Sequence, residues 1–166
     1  MKNRGNKYDE WEYSSEGIDY ALDSARDLIP NYARAPLAKA LSLLPKKIID
    51  FVVDNCVFIS PEAESQGYWY SFNHPFLKGK KGFILLDENL WRARPIEMAF
   101  TIAHEVAHAY RGHNVIMTLD SNFEESMKNE VEADKLAIRW LVKHYKKTSL
   151  LKICNYIENR EKKNSK

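Results

Sequence analysis

The chain has 166 residues, of which 45% are hydrophobic and 29% charged, and a formal net charge of +2. That length suits one hydrophobic core and is short for two, and the composition is that of an ordinary globular protein. The near-balanced charge gives no electrostatic case for nucleic acid or an acidic membrane surface as partner, and no apolar stretch reaches the roughly 20 residues of a membrane span.

In chain order, residues 1–14 are polar and are expected to form a flexible segment. They hold no apolar core of a signal peptide, so the expected location is the cytoplasm. Residues 15 to 29 read as an amphipathic helix stopped by Pro30. The run "PLAKALSLLPKKIIDFVVDN" reads as helical, divided at Pro45. Cys56 to Ser60 and "GYWYSF" are β-branched or aromatic runs of strand type, with "NHPFLKGKKG" as a loop or hairpin turn after them. Tyr68, Trp69 and Tyr70 would alternate across a sheet in a packing role. "FILLDENL" is the next predicted strand. A helix over 95–111, a loop from Gly112 to about Asn122, a long helix over 123–146 and a last helix over 149–160 complete the pattern. Residues 161–166 are a polar tail, which leaves one expected domain over 15–160. Cys56 and Cys154 belong to no metal-like pair, so buried thiols are expected. Lysines at 78, 80 and 81, and at 143, 146, 147 and 152, read as solvated surface.

The informative segment is the helix over 95–111. Pro95 suits its first position, Glu97 the positive end of its dipole, and Gly112 the residue just past its end. Met98, Ala99, Phe100, Ile102, Ala103, Val106, Ala107, Ala109 and Tyr110 cover every side of the cylinder, as in a buried helix. Thr101, His104, Glu105 and His108 alone break that apolar surface. His104 and His108 are four apart and share a face, so two imidazoles can reach one metal ion. Glu105 lies beside them, where a carboxylate can take a proton from a water polarised by the metal. Burying these three groups without partners costs several kcal/mol. The bland alternative is a pair of satisfied core histidines with Glu105 bonded to a basic residue. The order His-Glu-Val-Ala-His in an apolar helix favours the metal.

A catalytic zinc site needs a third protein ligand and an open position for water. On the next helix Glu130 and Asp134 are four apart and share a face, whereas Glu132 points elsewhere. Ala133 and Ala137 would let that helix approach the first closely. Glu130 is therefore the expected third ligand, with Glu132 as its competitor and Glu124 and Glu125 behind. Asp134 is expected to stand behind the metal, accepting the free ring N–H of His104. His113, five beyond His108, is read as a cleft-edge residue and not a ligand. Tyr110, His113, His74 and Tyr145 are all candidates for an oxyanion donor, and the sequence singles out none.

These residues resemble the gluzincin type of zinc peptidase, whose pattern is HExxH followed by ExxxD on a later helix. His104, Glu105 and His108 match the first part, and Glu130 and Asp134 the second. "GFILLDENLW" leading into "IEMAFTIAHEVAHAYRGH" is similar to the ImmA/IrrE family of small soluble metallopeptidases. "HEVAHAYRGH" and "EVEADKLA" are also similar to the HtpX/Oma-type peptidases, which carry membrane spans that this chain lacks. The resemblance covers roughly residues 83 to 142. It implies an α+β zincin-like domain, in which a small mixed sheet of about three strands lies over the motif helix, with a glutamate helix after it and further helices before it. It also implies an edge strand pairing with an extended substrate, for which residues 83–86 are the candidate.

The expected function is hydrolysis of peptide bonds, with one zinc ion per chain and Glu105 as general base. The expected partner is a protein or peptide substrate, with a regulatory protein as one candidate. The alternative is a zincin-shaped module that keeps the metal but acts by capturing a partner. A purely structural zinc site would be closed by four cysteine or histidine ligands, and neither cysteine adjoins the motif.

Overall fold

The computed structural model describes residues 13–23, 29–60, 67–71 (as backbone), 82–113 and 123–154. The predicted loop at 73–82, the loop between the two site helices, the last residues of the first predicted helix and the stretch 155–160 lie mostly or wholly outside them. So do both termini and the side chains of Tyr68, Trp69 and Tyr70.

Helix α1 spans Ser15–Asp23. The Ser14 hydroxyl accepts the Gly17 N–H at 3.1 Å and caps one of the N–H groups that a helix start leaves without an internal partner. Helix α2 spans Asn31–Leu41 and begins earlier than the sequence suggested, because Pro36 is carried inside it. A proline there removes one bond from the helix ladder. Burial of Ala33, Leu37, Ala38, Ala40 and Leu41 offsets that loss. Arg34 ties α1 to α2 through the Asp19 carbonyl at 3.1 Å and its carboxylate at 3.4 Å.

Pro45 divides the next run as expected. Helix α3 spans Lys46–Asn55 and buries Ile48, Ile49 and Val52 on one stripe. It leads directly into strand β1, Cys56–Ile59. Strands β2, Gly67–Ser71, and β3, Gly82–Leu86, complete a sheet of order β1-β3-β2. β1 lies parallel to β3 with Val57 opposite Phe83, and β2 lies antiparallel with Trp69 opposite Ile84. The sheet is therefore mixed and the domain α+β.

Two expectations about this region are corrected. Residues 83–86 are not an edge strand, since β3 is the middle strand and both its sides are paired. The strand also stops at Leu86 rather than running to Leu90. Asp87 accepts the Asn89 N–H at 2.6 Å and opens a 3-10 turn over Glu88–Arg92. In β3 the residues Gly82, Ile84 and Leu86 are buried, while Phe83 and Leu85 are half-buried, so one face looks into the core.

Helix α4 spans Pro95–Arg111, and its signals act as their positions demand. Pro95 occupies the first turn, and the Glu97 carboxylate accepts the Arg94 backbone N–H at 3.2 Å. Gly112 stops the helix in a left-handed conformation with φ 70°. Phe100, Ile102, Ala103, Val106 and Ala107 are fully buried, as expected of a helix apolar on all sides.

Helix α5 spans Phe123–Leu141 and packs along α4. Ala133 and Ala137 are both 0% exposed, so the small side chains lie where the helices come together. α5 ends at Leu141, short of the expected Lys146. The His144 and Tyr145 N–H groups bond back to the Leu141 carbonyl and close a turn. That turn brings Leu150, Ile153 and Cys154, on a helical stretch α6 over 147–154, back to the core. Cys56 and Cys154 are buried and belong to no disulfide. Among the described residues no helix is long and apolar enough to cross a membrane.

Candidate metal centre

The 3.6-residue repeat of α4 sets His104 and His108 one turn apart, and their Nε2 atoms meet at 3.0 Å. From α5 the Glu130 carboxylate straddles that pair. Its two oxygens lie 3.2 Å from His104 Nε2 and 3.4 Å from His108 Nε2. One ligand atom from each of the three residues lies within 4.8 Å of the others, so the group can hold a single metal ion. Two imidazole nitrogens this close repel unless a proton or a cation lies between them. Glu130 adds negative charge at the same point.

Asp134, one turn after Glu130, accepts from His104 Nδ1 at 2.8 Å. Holding Nδ1 as the donor leaves the Nε2 lone pair free to face the cluster when the ring is neutral. Burial opposes charge on His104, but the hydrogen bonds of Asp134 and Glu130 and the negative charge of Glu105 outweigh it. Its pKa is pushed up to about 10. Burial acts to raise the Glu130 pKa as well, yet the bonds and charges of the two histidines hold it well below the usual carboxylate range.

Glu105 is 7% exposed and His108 5%. Burial pushes the Glu105 carboxyl up, against the pull of His104 and His108. A carboxylate this deep in an apolar helix, beside a cluster of metal-type donors, is unusual for a purely structural group.

Glu132 is not brought to the cluster. Its carboxylate bonds the Arg111 guanidinium, with Nε at 2.6 Å, and lies 3.3 Å from His113 Nε2. His113 in turn lies 3.2 Å from His108, Nδ1 to Nδ1. Sequence reasoning leaves these three residues unconnected. Gly112 is the available signal, because a helix stopped there folds residue 113 back onto residue 108. Of the oxyanion candidates, Tyr110 stands edge-on to Phe51 at 5.2 Å and to Trp140 at 6.1 Å, as a packing residue. Tyr145 is half-buried against the core, and His74 lies outside the described residues.

Residues 96–161 match the family described as Peptidase U49. The match covers about two-fifths of the chain. It includes all of α4 but its first residue and the whole of α5, and with them His104, Glu105, His108, Glu130 and Asp134. It supports a peptidase function and leaves the narrower ImmA/IrrE and HtpX/Oma resemblances without independent support. No curated protein and no solved structure matches the chain.

Proposed function

We propose that the protein is a zinc-dependent peptidase, with His104, His108 and Glu130 as the metal ligands and Glu105 as the general base. The observation that carries this reading is the spacing of the donor atoms. Ligand atoms about 2.0–2.1 Å from a tetrahedral zinc ion stand roughly 3.3 Å from one another. Here the two Nε2 atoms lie 3.0 Å apart, one Glu130 oxygen lies 3.2 Å from His104 and the other 3.4 Å from His108, and one donor atom from each residue lies within 4.8 Å of the others. Two imidazoles and one carboxylate also form the donor set of a catalytic zinc site, which keeps its fourth position for water.

Zinc supplies a Lewis acid that acidifies water and polarises a carbonyl oxygen. The chain's own residues do the rest. Glu105 receives the proton of the attacking water and delivers it to the amine nitrogen that leaves. Its burial excludes bulk solvent from that transfer. Asp134 holds the His104 ring in one tautomer and one orientation. The apolar body of α4, packed against α5 and the sheet, keeps the two histidines and Glu105 on a rigid support.

The reading is tested by incubating the purified protein with a disordered protein substrate, with a chelator, and with chelator followed by added zinc. Cleavage that stops with chelator and returns with zinc supports it. Cleavage that persists after the metal is stripped contradicts it.

A further inference from the structure

Asp134 accounts for the orientation of His104, and the structure shows an equivalent arrangement behind His108 that the peptidase reading does not use. Helix α4 ends in a two-bond turn. The Gly112 N–H bonds the Ala109 carbonyl at 3.2 Å, and the His113 N–H reaches back to the His108 carbonyl at 3.0 Å. This closure needs a left-handed residue at Gly112, whose φ is 70°. Its consequence is to lay the second residue after the helix over the third residue before its end, usually as an apolar contact. Here those two residues are His113 and His108, and the contact is nitrogen to nitrogen at 3.2 Å.

We propose that His113 and Glu132 are positioning residues for His108, with Arg111 fixing Glu132. The proposal rests on the metal-ligand role of His108. A ligating His108 uses its Nε2 lone pair, so its proton sits on Nδ1 and must be donated. The atom facing it is His113 Nδ1, which must then accept. His113 is therefore neutral with its proton on Nε2, and that N–H faces the Glu132 carboxylate at 3.3 Å. Arg111 bonds the other Glu132 oxygen. Every proton in the series has one consistent place: His108 donates to His113, His113 to Glu132, and Arg111 to Glu132. The His113 side chain is 11% exposed and His108 is buried, so the contact between them is sheltered from competing water, while Glu132 is 38% exposed at the outer end of the series. The effect is to hold the His108 ring in one tautomer and one orientation, with Nε2 facing the cluster, as Asp134 does for His104.

The test measures zinc affinity by competition with a chromophoric chelator, for wild type, His113→Phe, His113→Asn and Glu132→Gln. His113→Phe keeps the ring's bulk and removes both nitrogens. It is expected to weaken zinc binding by about 10- to 100-fold, the range for loss of a partner behind a ligating histidine. His113→Asn offers an amide oxygen near the place of Nδ1 and should recover most of that loss. Glu132→Gln keeps an acceptor for His113 and should cost less than His113→Phe. The absorption bands of the cobalt-substituted protein should shift in His113→Phe and return towards wild type in His113→Asn. Thermal melting of the metal-free proteins provides the control for packing. Equal affinity in wild type and His113→Phe would overturn the proposal, as would an equal loss in the Phe and Asn variants. A wild type that binds no zinc would overturn the metal reading itself and this proposal with it.

Discussion

Glu130 and Glu132 are two residues apart on α5, yet the structure gives them different environments, and this difference makes a sharp prediction. Glu130 places its oxygens 3.2 and 3.4 Å from the two imidazole nitrogens, whereas Glu132 faces Arg111 and His113. Zinc held by a small protein site is bound by about 10–16 kcal/mol at neutral pH. Divided over three protein ligands and a water, a single ligand accounts for about 3 kcal/mol. At about 1.4 kcal/mol per decade, Glu130→Ala should weaken zinc binding by roughly 100-fold or more. Glu132→Ala removes no donor from the cluster and should weaken it by no more than about tenfold, through the loosened His113. The assay is competition against a chromophoric chelator at constant pH, with circular dichroism to confirm that both variants fold. A loss in Glu132→Ala larger than that in Glu130→Ala would refute the assignment and move the third ligand to Glu132.

Three further outcomes follow from the geometry. With its pKa pushed up to about 10, His104 of the metal-free protein is protonated at pH 7 and must give up the Nε2 proton to bind a metal. Because the raised pKa favours the charged form, zinc affinity should increase as pH rises towards 10. Titration calorimetry in buffers of different ionisation enthalpy should detect about one proton released per zinc, and a heat independent of buffer would contradict this. Asp134→Ala removes the acceptor 2.8 Å from His104 and should weaken zinc binding by about 10- to 100-fold without unfolding the protein; an unchanged affinity would remove its positioning role. Gly112→Ala meets no atom within 4 Å of the added carbon, so only the left-handed backbone opposes it. The cost should be about 1–2 kcal/mol by denaturant unfolding, and a neutral substitution would show that φ 70° is not required there.

The parts legible in the sequence are those set by local periodicity and by chemistry. The apolar run from Met98 to Tyr110 predicts a buried helix, and Pro95, Glu97 and Gly112 mark its ends because each meets a backbone requirement of a helix terminus. Four-residue spacing by itself places His104 with His108 and Glu130 with Asp134, and in the fold the two pairs converge. Non-local pairing is less legible. Nothing within residues 83–86 says whether their strand lies at the edge or in the middle, since that depends on where β1 and β2 dock. Helix ends are misplaced where a polar stretch keeps helical composition, as after Leu141, or where a proline is carried inside, as at Pro36. The contact of His113 with His108 follows from the turn at Gly112, and it becomes visible only when that residue is read as the closing position of a helix and not merely as a stop signal.

The proposed function requires a zinc ion held by α4 and α5 to work with Glu105 in hydrolysing peptide bonds. Its most direct test is metal content and cleavage of a disordered protein, measured side by side on wild type and Glu105→Gln. One zinc per chain is expected in both proteins, with cleavage by wild type and a rate lower by about 10²–10⁴-fold in the variant. Zinc in both with equal cleavage would contradict the role of Glu105, and the absence of zinc from both would contradict the metal centre itself.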